Sequence, residues 1–304
     1  MRRLAFLLLA GSLTAGPFAP AAENAARAFA SGGPTRSLGE ALPDHADSLK
    51  FAVVGDNGTG EPPEYDVGRQ MAARHATFAF DMVIMLGDNI YGRQEPQDFV
   101  TKFERPYAEL LQAGVVFYAA LGNHDDQNNR FYKGFHMGGE RYFTFVKKNV
   151  RFFVLDSNQL DPKQRAWFDD ALQHATEDWR ICYFHHPLYS DAGRHGSDVS
   201  LRVALEPLLV KYGVNVVFSG HDHVYERLKP QKGITYFVSG SGGELRKGDV
   251  HPFGMTAAYF DRDQSFLLVE VAGDDLFFEA VSRTGAAVDS GLVHRERSEA
   301  RGTR

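Results

Sequence analysis

Between residues 51 and 218, short apolar runs alternate with amphipathic stretches. The runs are Phe51–Val54, Met82–Leu86, Val115–Leu121, Val150–Leu155, Trp179–Phe184 and Val214–Phe218. They are rich in β-branched and aromatic residues and end at Gly, Asp, Asn or Pro, which is the pattern of buried strands. Several intervening stretches have helical spacing. One puts Phe99, Phe103, Tyr107, Leu110 and Leu111 on one face, with a kink expected at Pro106; another groups Trp167, Phe168, Ala171, Leu172 and Ala175. A third starts at Ser197, read as the N-cap, and runs through Leu201, Leu205, Leu208 and Tyr212. Strand and helix in alternation predict an α/β core with much of the sheet parallel. The pattern then changes. After a strand at Ile234–Val238, the runs Phe266–Val271 and Leu276–Val281 flank Gly273-Asp274-Asp275, predicting an antiparallel hairpin.

The ends of the chain follow other rules. Arg2 and Arg3 precede an uncharged apolar stretch, and Ala19-Pro20-Ala21 supplies small residues for cleavage, so residues 1–21 read as a signal peptide and the protein as secreted or periplasmic. Gly11, Gly16, Pro17 and Pro20 interrupt that stretch, so no stable membrane span is expected. Residues 22–48, rich in Ala, Gly, Pro and Ser, read as a linker without regular structure. One domain is expected over 49–293, and 294–304 read as a frayed, charged tail.

Composition narrows the chemistry. A net charge of −6 excludes a chain built mainly to grip a nucleic-acid backbone. The single cysteine, Cys182, excludes an internal disulfide or a cysteine-rich zinc module, leaving the 12 histidines as the expected metal donors. The residues after the strands are the informative ones. The first three runs end in Gly55-Asp56-Asn57-Gly58, Gly87-Asp88-Asn89-Ile90-Tyr91 and Gly122-Asn123-His124-Asp125. The fifth ends in His185-His186-Pro187 and the sixth in Gly220-His221-Asp222-His223. In a mostly parallel sheet those ends share one edge, so the metal-competent side chains can converge in one crevice. Taken alone, an Asp after Gly is a turn residue and Tyr91 a packing residue; their recurrence in one context is what points to metal.

In this order the motifs resemble the calcineurin-like metallophosphoesterase superfamily, and the Tyr91 position resembles its purple acid phosphatase branch. The likeness covers Asp56 to His223. It continues into Tyr225-Glu226-Arg227, similar to plant members, whereas the segment lengths and Tyr142–Phe145 look more like the small, mammalian-type members. The resemblance implies a four-layer α/β/β/α sandwich of two mixed sheets flanked by helices. It implies that Asp56, Tyr91 and His223 hold one ion, that Asn123, His185 and His221 hold the other, and that Asp88 bridges them. The ions implied are Fe(III) plus a divalent partner (Fe, Zn or Mn), a choice consistent with hard oxygen and imidazole donors. The implied reaction is hydrolysis of small phosphomonoesters by in-line attack of a metal-activated hydroxide, with phosphodiesters or nucleotides as the alternative substrates and a non-catalytic metal-binding protein as a remoter possibility.

By the same resemblance His124 is a candidate acid or transition-state stabiliser, its ring oriented by Asp125 or another carboxylate, and His195 a second candidate acid. The Tyr189–Gly196 loop carrying His195 is about one residue longer than in the small members. His186 reads as a bystander to His185. Tyr225-Glu226-Arg227 reads equally as an ion-paired structural segment or part of a substrate rim, and Ser239–Gly243 as a turn near the site. The oligomeric state is not legible.

Overall fold

A computed structural model describes residues 42–295. The expected signal peptide, most of the linker and residues 296–304 lie outside the described residues. In chain order the elements are β1 (Leu49–Val54), α1 (Pro62–His75), β2 (Met82–Met85), α2 (Pro96–Phe99), α3 (Ala108–Gln112), β3 (Val116–Ala119), β4 (Phe143–Lys147) and β5 (Val150–Val154). There follow α4 (Pro162–Gln173), β6 (Trp179–Tyr183), α5 (Val199–Lys211), β7 (Val216–Ser219), β8 (Tyr225–Leu228) and β9 (Thr235–Ser239). β10 (Thr256–Phe260), β11 (Ser265–Ala272), β12 (Asp275–Ser282) and β13 (Ala287–His294) complete the domain.

The strands form two mixed sheets, ordered β13-β12-β11-β1-β2-β3 and β10-β8-β9-β7-β6-β5-β4. β1, β2 and β3 are parallel, as are β5, β6, β7 and β9; the hairpin β11-β12 adds antiparallel to β1. Strand alternation explains why the apolar runs are continuous. Phe51, Val53, Met82, Ile84, Phe152, Ile181 and Phe218 point between the sheets, whereas Ala52, Val54, Val83, Met85, Phe153 and Cys182 point to the helices. Strands covered on both faces need apolar residues at every position. Each fully buried Phe or Ile contributes about 1.5–3 kcal/mol, so the inter-sheet layer carries much of the fold. Phe152 shows the packing: it stacks on Phe145 at 4.8 Å and meets Phe51 edge-on at 5.4 Å across the sheets. With α1 and α3 outside one sheet and α4 and α5 outside the other, the four-layer sandwich expected from the resemblance is the observed architecture.

Local chemistry corrects some boundaries. α5 is capped by Asp198, whose Oδ1 accepts from Leu201 N at 2.8 Å, not by Ser197. Ser197 instead closes the Tyr189–Gly196 loop, accepting from Ser190 N at 3.0 Å. The stretch around Pro106 breaks as expected: a π turn at Val100–Glu104 absorbs the interruption before α3 begins. At the end of the expected linker, Asp44 N and His45 N donate to the Glu270 carboxylate at 2.8 and 2.6 Å, and Leu42 is buried. β13 runs through His294, which pairs with Asp275, and Arg295 pairs with Asp274, so the first two residues of the expected tail belong to the sheet edge.

Candidate metal centre

β1, β2 and β3 in one sheet and β6 and β7 in the other end side by side, and the loops leaving them bring all seven expected metal donors into one crevice. Three of those donors hold the left-handed backbone conformation without being glycine: Asp56 at φ 54°, Asp88 at φ 53° and His221 at φ 69°. Such conformations cost of order 1 kcal/mol each and survive where surrounding bonds over-determine them. Here Asp56 N donates to Gly87 O at 3.0 Å, His221 N donates to Asp56 Oδ2 at 2.8 Å, and His124 N donates to Asp88 Oδ1 at 2.8 Å.

The donors form two clusters. In the first, the Tyr91 hydroxyl lies 3.3 Å from Asp56 Oδ1 and 3.2 Å from His223 Nε2, and His223 Nε2 lies 3.5 Å from Asp56 Oδ1. In the second, His185 Nε2 lies 2.9 Å from Asn123 Oδ1, 3.1 Å from His221 Nδ1 and 3.4 Å from Asp88 Oδ2. Asp88 also groups with Asp56 and His223, so it faces both clusters. These spacings fit ions. With bonds of about 2.0–2.2 Å, neighbouring donors around a tetrahedral or octahedral ion sit roughly 2.9–3.6 Å apart. Two imidazole nitrogens and a carboxamide oxygen turned toward one point suit a shared cation.

Protonation tells the same story for the chain without ions. Burial pushes the Tyr91 phenol up, and the Asp56 and Asp88 charges add to it, so only a cation in place of the proton would yield the phenolate. Burial also pushes His221 down to about 2, with His185 and His186 adding to the effect. For His185 burial acts downward but Asp88 and Asp56 outweigh it, holding the ring at about 9. The pair His185–Asp88 therefore traps a proton where an ion would sit, and the Asp88 carboxyl is correspondingly depressed despite its burial.

The two candidate acids flank the donors on opposite sides. The exposed His124 ring lies over Tyr91, centroids 4.8 Å apart, and the exposed His195 ring lies over His221 at 4.2 Å. Asp125 does not orient His124. Its carboxylate accepts from Gly122 N at 2.8 Å, Asn89 N at 3.0 Å, Ile90 N at 3.1 Å and the Asn89 amide at 2.8 Å, tying the Asp88 and Asn123 loops together. Gln94 reinforces that tie, donating to His124 O at 2.6 Å and accepting from Asp126 N at 2.8 Å. His186, read as a bystander, lies in the site: its ring is 4.4 Å from that of His221 and its Nδ1 is 2.8 Å from Ser157 Oγ. Its neighbour relation to His185 hid it, since consecutive residues leaving a strand are expected to diverge.

Tyr225-Glu226-Arg227 is a structural segment. Tyr225 and Arg227 both bind Asp289 at 2.7 Å, while buried Glu226 accepts from Ser190 Oγ, Asp191 N and Thr256 Oγ1. Glu226 thereby steadies the loop that carries His195. The Ser239–Gly243 turn lies at the site, with Gly243 N donating to Asp56 O at 3.1 Å. Cys182 is buried and free, its thiol pushed up by burial.

Comparison with known proteins gives the same family. Residues 49–225 match the calcineurin-like phosphoesterase family model. Human tartrate-resistant acid phosphatase type 5 is 28% identical, the match covering 81% of this chain and 92% of that protein. Purple acid phosphatase 17 of Arabidopsis thaliana is 24% identical over 67% of this chain and 71% of its own. Among solved structures, the yellow lupin purple acid phosphatase PPD1 superposes with a TM-score of 0.68 at 19% identity, covering 84% of this chain and 55% of the lupin chain. GAP50, described as the anchor in the inner membrane complex of Plasmodium, superposes at 0.74 with 19% identity, covering 83% and 90%. At these identities the structural likeness speaks for the fold, and the sequence matches speak for the lineage. The chain is a hydrolase that belongs to the calcineurin-like phosphoesterase family, in its purple acid phosphatase branch.

Proposed function

We propose that this protein is an exported phosphomonoesterase with a dinuclear Fe(III)–M(II) centre, M being Fe, Zn or Mn. Asp56, Tyr91 and His223 hold one ion, Asn123, His185 and His221 the other, and Asp88 bridges. The observation that carries the reading is the pair of donor clusters, spaced at 2.9–3.5 Å and both faced by Asp88. When bound, the two ions supply a positive clamp for the phosphate and an activated hydroxide for in-line attack. The chain's own residues do the rest. Asp88 and Asp56 are held by backbone amides, so the donors are fixed before substrate arrives. His124 and His195 stand at the mouth, where a protonated imidazole can reach the leaving oxygen. Export rests on the pattern of residues 1–21; among the described residues no helix is long and apolar enough to cross a membrane.

The likeness to GAP50 favours a second reading, a binding protein on a hydrolase scaffold. Retention of all seven donors argues against it, since a scaffold without catalysis has no need of three strained turns. The test is metal analysis with visible absorption, alongside hydrolysis of p-nitrophenyl phosphate. Two ions per chain, a visible band lost in Tyr91→Phe and activity lost in Asn123→Ala are expected. A metal-replete protein that hydrolyses no monoester would overturn the reading, and hydrolysis confined to diesters would move the substrate.

A further inference from the structure

A cavity of about 480 Å³ opens beside the second donor cluster and shares Asn123 with it. His186 also lines it, and the His186 ring lies 4.4 Å from that of His221 and 5.0 Å from that of His185. Ser157 fixes this ring: its hydroxyl accepts from His186 N at 3.1 Å and lies 2.8 Å from Nδ1. The loop after β5 supplies another part of the lining. Arg141 braces that loop, bonding Asp156 at 2.6 Å, Gln159 Oε1 at 3.3 Å and Asp161 at 3.2 Å. Asn158 ties it to the Asn123 turn by donating to Gly122 O at 3.1 Å. The hollow is therefore held in shape before any ligand enters it.

The lining sets what can enter. Carboxamides of Asn123, Gln127, Asn158 and Gln159 and the Ser157 hydroxyl surround the space, and among the described residues no lysine or arginine lines it. Of its carboxylates, Asp125 is engaged by backbone amides and Asp156 by Arg141, whereas Asp198, the cap of α5, has no cationic partner among the described residues. A second anionic group on a substrate would meet that negative charge and find no cation. The Gln127 carboxamide and Gln159 Nε2 make no hydrogen bond among the described residues. Carboxamides both donate and accept, as hydroxyl groups require. An apolar alcohol would strip water from these groups and return no bond.

We propose that this cavity is the leaving-group subsite and that it selects phosphomonoesters of uncharged, hydroxyl-rich alcohols, the class of sugar and polyol phosphates. This rests on the phosphatase reading and narrows its substrate. The test is calorimetric titration of metal-replete protein with methylphosphonate and with the non-hydrolysable phosphonate analogue of glucose 6-phosphate. It is joined to kcat/KM for glucose 6-phosphate, glucose 1,6-bisphosphate and p-nitrophenyl phosphate. The sugar analogue should bind about tenfold or more tightly than methylphosphonate, the worth of one or two hydrogen bonds. Gln127 and Gln159 are exposed, so Q127L/Q159L should fold and bind metal. It should remove most of the difference between the phosphonates and lower kcat/KM for glucose 6-phosphate about tenfold relative to p-nitrophenyl phosphate. Q127K should raise kcat/KM for the bisphosphate relative to glucose 6-phosphate, and an unchanged ratio would overturn the selection by charge. Equal binding of the two phosphonates by wild type overturns the subsite and leaves the phosphatase reading standing, as does a double variant that keeps the wild-type difference. A metal-replete wild type that binds neither phosphonate and hydrolyses none of the three esters overturns both.

Discussion

Gly122 is a position where an added methyl group would act directly on the site. It precedes the candidate ligand Asn123, and its Cα packs against the turn that holds Asp88. A Cβ built there would lie 2.8 Å from Asp88 Cγ and closer still to Asp88 Oδ1 and N. Ordinary contacts between such atoms are about 3.5–4.0 Å, so something must move by roughly 1 Å. Little can. Asp88 N is backbone in a left-handed residue, Asp88 Oδ1 accepts from His124 N, and Gly122 N is tied to Asp125 at 2.8 Å. Overpacking of this kind costs about 1–3 kcal/mol in stability. Displacing the Asp88 carboxylate, proposed to bridge the ions, by about 1 Å should cost on the order of a hundredfold in rate. Gly122→Ala is therefore expected to fold with a modestly lower melting temperature, to bind fewer than two ions and to lose about two orders of magnitude in kcat/KM. The assays are calorimetry, metal analysis and steady-state kinetics on one preparation. Wild-type activity with two ions bound would refute the claim that the contact between the Asp88 and Asn123 turns sets the site.

Two further expectations concern pH. His185 is held at about 9 in the ion-free chain, because Asp88 and Asp56 outweigh its burial, and its proton must leave before Nε2 can bind a metal. Zinc uptake by ion-free protein should release protons and tighten as pH rises from about 6 to 8, read by calorimetry in buffers of different ionisation heat; uptake independent of pH would contradict the assignment of His185. Far from the site, Arg151 grips Glu177 with two bonds of 2.6 Å, lowering the Glu177 carboxyl below its usual range. A depressed carboxyl contributes stability that is full above its unfolded value of about 4.3 and is lost as pH falls through the folded one. The melting temperature of Glu177→Gln should thus lie below wild type near pH 7 and converge with it as pH falls below about 4; a gap that persists in acid would show that packing, not charge, holds the pair.

Much of the architecture was legible because its physics is local. Runs such as Phe51–Val54 and Met82–Leu86 are apolar at every position, which already says that both strand faces are covered. The residues after them pointed to the chemistry: an Asp or Asn alone reads as a turn residue, but five strand ends that each supply Asp, Asn or His fit one metal site. The α5 cap shifted by one residue because Ser197 and Asp198 are both competent caps, and the choice fell to Asp198 once the His195 loop engaged Ser197. The place of His186 was not legible, because it is set by what the ring faces, that of His221.

What the chain determined alone was the type of the central strands and of the helices between them, and the identity of the candidate donors at the strand ends; both follow from side-chain period and from the few residue types that can turn or ligate. What only the tertiary structure decided was that the donors come from two sheets. Asp56, Asp88 and Asn123 leave one, and His185 and His221 leave the other. A single parallel edge would have served the sequence pattern equally well, since strand order leaves no mark on local periodicity. The inter-sheet layer of Phe51, Phe152 and Phe218 settles the matter: by holding the sheets face to face, it puts the ends of two separate sheets at one crevice.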